Sequence, residues 1–175
     1  MEGSELERLV VELAEMTRNR FYGKYRGVVQ DVDDDEKMGR IRALVPEVLG
    51  DMLSPWALPC VPFAGAGHGL VLLPEVDDGV WIEFEAGDPS RPIWTGGWWG
   101  SGEMDELGDT LVRAFVTTAG HKIVIDDDQD LIHIEHASGG TIDITDSDIT
   151  IESGSGKVVL SDSGVSINDD ALTVE

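Results

Sequence analysis

The chain has 175 residues, enough for one ordinary domain or two small ones, and 41% of them are hydrophobic, which excludes a chain too polar to build any core. Its 35 acidic residues outnumber 12 basic ones, and the net charge of -23 disfavours nucleic acid and anionic membrane surfaces as partners. Cys60 is the only cysteine, so no intrachain disulfide is available, and a small core residue is its expected role.

The first predicted element is a helix over residues 4–18. Ser4 and Glu7 have the spacing of a capping box, and Leu6, Leu9, Val10, Leu13 and Met16 recur at helical intervals. A lone helix of this length is marginal in water, so this N-terminal segment, residues 1–19, is expected to lay its apolar stripe on the chain's own body or on a partner. Glu12 and Glu15 interrupt LVVELAEM, the only candidate for the apolar run of a signal peptide. No stretch approaches the roughly 20 apolar residues of a membrane span. Cytoplasmic synthesis without an export signal is the expectation.

Residues 20–100 change character to short strands divided by Gly, Pro and Asp clusters. YRGVVQDV and GRIRALVP flank the acidic turn DDDEKM, and GLVLLP, GVWIEFE and RPIWTGGWW follow. Every proline and tryptophan of the chain lies in this segment. Five short strands in a segment of this size suit a small closed barrel of the oligonucleotide/oligosaccharide-binding type, the OB-fold. Residues 101–118 read as a linker.

Residues 119–175 carry no Phe, Trp, Tyr or Pro. They show paired aliphatic positions instead: Ile123 and Ile125, Ile132 and Ile134, Ile142 and Ile144, Ile149 and Ile151, Val158 and Leu160, Val165 and Ile167, Leu172 and Val174. Successive pairs begin 7 to 10 residues apart, with Gly, Ser or Asp between them, a repeat signature. Two aliphatic side chains per strand bury too little apolar surface in one copy to offset the entropy of ordering it. A sandwich core about 10 Å thick needs larger side chains. Three copies wound about one axis solve the problem: each supplies one wall of a narrow prism, Ile and Val fill its centre, and strand edges are paired. The expected fold is therefore all-β, an OB barrel followed by an intertwined trimeric β-helix with a short N-terminal helix.

The stretches GRIRALVP, WALPCVPFAGAGHGL and LPEVDDGVWIEFEAGDPSRPIWTGGWWG resemble the OB-fold of phage baseplate assembly protein V and of the related VgrG spike proteins. TTAGHKIVIDDDQDLIHIEHASGGTIDI resembles the junction into their trimeric β-helix, with Gly120 and His121 as its Gly-His pair and Asp126 and Asp127 as its paired aspartates. The resemblance covers the chain from Phe21 onward. It implies a homotrimeric spike at the centre of a contractile injection machine or phage tail, driven through the target envelope by sheath contraction and acting mechanically rather than as an enzyme. It also implies a separate hub protein on the N-terminal side and a PAAR-type tip protein at the C-terminal end, because the final segment SINDDALTVE has no histidine with which to hold an iron ion at the apex. Incorporation into a virion or injection particle follows from the same resemblance.

No catalytic, cofactor or metal site is expected. Asp31, Asp33 and Asp35 are spaced like the start of a calcium loop, but Glu36 stands in place of its glycine and Arg42 in place of its glutamate, so a solvated turn is the expectation. Asp126, Asp127, Asp128 and Asp130 read as a polar turn. His133 and His136, three apart in a strand, face opposite sides and are not joint ligands. His68 lies in a Gly-rich loop without a partner motif. Trp94, Trp98 and Trp99 are expected to pack in the barrel core or at the trimer interface rather than stack on sugars or bases. Two other readings of the function remain: a carbohydrate-binding OB module on a repetitive stalk, and a calcium-dependent β-roll adhesin suggested by SGGTIDI.

Overall fold

The computed structural model describes residues 2–104, 108–168 and 171–174 of the chain; the side chains of Ser4, Met16 and Val174, used in the sequence argument, lie outside what is described. The chain divides into two compact units, residues 1–101 and 102–175.

The first unit begins with helix α1, Glu2–Arg18. Leu6, Leu9, Val10 and Leu13 remain exposed along it, so of the two expected docking partners for its stripe, the chain's own body is not the one used. The barrel that follows is built from β1 (Tyr25–Asp31), β2 (Arg42–Leu44), β3 (Leu58–Pro59), β6 (Gly79–Phe84) and β7 (Pro92–Gly97), in the order β2-β1-β6-β7-β3. The outer strands meet through the bridge between Ile41 and Ala57. There Ala57 N–H donates to Ile41 O at 2.8 Å and Ile41 N–H donates to Ala57 O at 3.2 Å, which closes the ring of strands and leaves it no open edge. β6 shows how the sequence fills this ring: Val80, Ile82 and Phe84 alternate inward to meet Val29, Ile41, Ala43, Val45, Ala57 and Trp94 in one core. Helix α2 (Pro46–Leu49) begins on its proline after β2.

Two features of the barrel differ from expectation. Leu70–Leu73 form no strand, and the fifth sheet position belongs to Leu58–Pro59. A continuous apolar run carries no alternation to identify a strand, and here the free edge of β7 is taken by the parallel pairing of Leu58 with Ile93 and Pro59 with Trp94, extended by Cys60 N–H donating to Trp94 O at 2.9 Å. The residues before the run form a separate two-residue hairpin, β4 (Ala64–Gly65) with β5 (His68–Gly69). Cys60 is the second correction: it is exposed, not a core residue, because it lies just past β3 in irregular chain.

The acidic turn between β1 and β2 is organised by Asp34, a residue that the calcium-loop spacing passes over. Its carboxylate accepts the backbone N–H groups of Glu36 (3.1 Å), Met38 (2.8 Å) and Arg40 (3.2 Å) and the Nε–H of Arg40 at 3.0 Å. The Arg40 guanidinium is the main reason that the Asp34 carboxyl sits far below the usual carboxylate range.

The second unit is one antiparallel meander of eight strands: β8 (Val112–Val116), β9 (Lys122–Asp126), β10 (Leu131–Glu135), β11 (Thr141–Ile144), β12 (Asp148–Ser153), β13 (Gly156–Ser161), β14 (Gly164–Ile167) and β15 (Leu172–Val174), each paired with its sequence neighbour. β8 falls within the stretch 101–118 that the sequence analysis placed in a linker. Arg113 stands in the alternation where an aliphatic is expected, and this hid the strand. Consecutive antiparallel pairing also rules out the β-roll reading, whose coils require parallel strands.

Candidate assembly face

The geometry that matters most in the second unit is the register. Across β8 to β15 it aligns Phe115, Ile123, Ile134, Ile142, Ile151, Val158, Ile167 and Leu172 in one row, and Arg113, Ile125, Ile132, Ile144, Ile149, Leu160, Val165 and Val174 in the other. Strand residues two apart share a face, so both rows lie on one side of the sheet. The aliphatic residues singled out in the sequence are thereby collected into a single surface, two side chains wide.

That surface is open to water in the single chain. Ile123 is 47% exposed, Ile125 43%, Ile151 42% and Leu172 56%, and Ile142, Ile144, Val158, Val165 and Ile167 are only half-covered. On β9 and β10 the polar side is the better covered one: Lys122, Val124 and Asp126 are half-buried while Ile123 and Ile125 between them are exposed. A chain that leaves its aliphatic face to solvent and covers its polar face presents an interaction surface, since contiguous exposed apolar patches beyond a few hundred Å² mark such surfaces.

The opposite face is held by cross-strand pairs of opposite charge. Lys122 Nζ lies 3.0 Å from Glu135 Oε2, and Lys157 Nζ lies 2.9 Å from Glu152 Oε1, each pair directly opposed in register. The Lys122 ammonium is the main reason that the Glu135 carboxyl lies below its ordinary range. His133 contacts the Asp143 carboxylate across β10 and β11.

The junction residues have structural roles. Gly120 adopts φ +89°, a conformation that favours glycine, and donates its N–H to Thr117 O at 2.8 Å, while His121 N–H donates to Thr117 Oγ1 at 3.1 Å. The His121 ring accepts the Ala137 N–H on Nδ1 at 3.2 Å and lies against His136, with ring centroids 4.4 Å apart. No local pattern signals this pairing, because the two histidines stand at different turns. His133 and His136 do not meet. Asp126 Oδ1 accepts the N–H groups of Asp128 (3.0 Å) and Gln129 (3.1 Å), and Asp127 N–H donates to Leu111 O at 3.1 Å, so this acidic run is engaged in turn-making.

In the first unit, Trp94 is buried in the core and donates its indole N–H to Gly39 O at 3.0 Å; Trp98 donates to Val80 O at 3.1 Å; Trp99 is 67% exposed. His68 Nδ1 lies 3.2 Å from Ala66 O in the exposed β4–β5 hairpin.

Comparison with protein families places both units. A family model described as the type VI secretion system/phage-baseplate injector OB domain matches residues 25–99. A second, described as the phage baseplate V C-terminal trimerisation domain, matches residues 113–173. Comparison with curated proteins gave no match.

Proposed function

Because this chain belongs to the phage baseplate V family of spike proteins, with an injector OB domain followed by a trimerisation domain, we propose that three copies join through their β8–β15 sheets into a rigid needle that punctures the target envelope when a contractile machine fires. The observation that carries this reading is the two-wide aliphatic face left open on a single chain. Three such faces turned toward a common axis bury one another in a slim core that is aliphatic from β9 onward, with Phe115 and Arg113 of β8 at its first level. Ile123, Ile125, Ile132, Ile134, Ile142, Ile144, Ile149, Ile151, Leu160, Val165, Ile167, Leu172 and Val174 form that core.

The function is mechanical. Axial force is shared by many ladder hydrogen bonds loaded together, and the polar faces with their Lys122–Glu135 and Lys157–Glu152 pairs keep the shaft soluble. The family resemblance supports two further partners, a hub protein on the barrel side and a PAAR-type protein capping the C-terminal end. The family's domains are structural parts of a baseplate, and no reaction is assigned to the protein.

Sedimentation equilibrium of the full chain tests the reading. A mass of three chains is expected; a stable monomer with a cooperative melting transition in the second unit would overturn it.

A further inference from the structure

The barrel carries a second surface that the needle does not account for. From Ser54 to Pro74 there is no Asp, Glu, Lys or Arg, in a chain of which 27% is charged. Ser54 and Ala57 at its start are buried, but the rest is largely open to solvent: Phe63 is 59% exposed, Val71 76%, and Leu72 and Leu73 49% each. Phe63 stands beside the β4–β5 hairpin, and next to it Cys60, Leu70, Leu72, Leu73, Trp94 and Gly96 line an apolar groove of about 420 Å³.

We propose that this uncharged surface is where the barrels of neighbouring copies of this chain pack against one another, with the Phe63 hairpin of one copy seated in the groove of the next. The proposal rests on the trimeric reading above and extends it from the needle to the barrel. Charge selects the occupant. A chain with a net charge of -23 repels its own copies wherever its acids face each other, and the groove, whose lining holds no charged side chain, is a place where two copies can approach without that cost. The exposed Phe63 ring and the groove beside it are distinct features, and distinct features that meet between copies make a head-to-tail contact, which closes into a ring under threefold symmetry. Residues 98–111 join β7 to β8 and span at most roughly 50 Å when fully extended. Trimerised sheets therefore hold three barrels at high effective concentration, where a modest apolar contact is enough to dock them.

Cys60, the only cysteine, lines the groove and reports its state in the full chain. Its reactivity with a bulky maleimide is measured on material whose sedimentation mass is known. For wild-type trimer, labelling at least tenfold slower than that of a free thiol is expected. In Val71→Asp, a substitution at a site exposed on the single chain and so without cost to the fold, the trimeric mass is expected to persist through the sheets while Cys60 labels at close to the free rate. Rapid labelling of the wild-type trimer overturns the proposal, as does equal protection in both proteins. Protection that arises only on addition of another baseplate protein assigns the groove to that partner instead. A monomeric wild-type mass fails the trimeric reading itself, and the measured mass keeps the two failures distinct.

Discussion

His133 and Asp143 face each other directly across β10 and β11, and the same two strands oppose Ile132 to Ile144 and Ile134 to Ile142. Imidazole and carboxylate lie on one face of the sheet and four isoleucines on the other. This one set of pairings shows how the meander works: polar partners fix the register on the side that each chain satisfies alone, and the register in turn lines up the apolar rows for other copies to cover. A slip of one residue would send every isoleucine to the polar side.

Ile144 lies between Ile132 and Ile149 in its row. In the needle proposed above, Ile144→Asp brings three carboxylates to one level, each unpaired and costing several kcal/mol to desolvate. The expected outcome is loss of the trimeric mass in sedimentation. Thr150→Lys, placed on the other face opposite Asp143, is expected to keep that mass. A trimer with unchanged melting in Ile144→Asp would refute the inward assignment.

Asp34 predicts an acid dependence. Its carboxyl is held far below the ordinary value by Arg40 and by the backbone N–H groups of the turn. A group depressed in the folded state adds stability that is fully present above its unfolded pKa, near 3.9 for an aspartate, and that is lost as pH falls toward the folded value. Asp34→Asn is therefore expected to melt below wild type at pH 7, with the gap narrowing as the pH drops below about 4. A gap constant from pH 7 to pH 2 would show that Asp34 does not act through its charge.

Gly79 opens β6 with the Trp98 ring directly above it. A Cβ there would lie 2.6 Å from the ring and 2.8 Å from the Trp98 carbonyl oxygen. Gly79→Ala must displace the indole from its hydrogen bond to Val80 O, and overpacking of this kind costs about 1–3 kcal/mol. A blue-to-red change in tryptophan emission and a lower barrel melting temperature are expected, with the oligomeric mass unchanged.

Ser54 is fully buried, accepts the Ala43 N–H on Oγ at 3.0 Å and donates to Pro55 O at 2.8 Å. Ser54→Ala leaves a buried N–H without a partner at the edge of β2. Denaturant titration is expected to show a loss of about 1–3 kcal/mol, and no measurable loss would mean that water reaches the site.

The sequence by itself determined the all-β class, the N-terminal helix, most barrel strands and the thin aliphatic tail, because strand alternation and helical spacing are properties of neighbouring residues. The absence of aromatic residues after Phe115 and the repeated Ile pairs were sufficient to argue that the tail is unfit to stand alone. Tertiary structure decided what depends on residues far apart in the chain. It gave the edge of β7 to Leu58–Pro59 in place of the more apolar Leu70–Leu73, because a sheet edge accepts only one neighbour. It selected Asp34 among several adjacent aspartates by bringing Arg40 beside it, brought His121 against His136, and added β8 to the sheet despite Arg113. Local pattern records which face a side chain takes; only the closed ladder of hydrogen bonds fixes which residue it meets there.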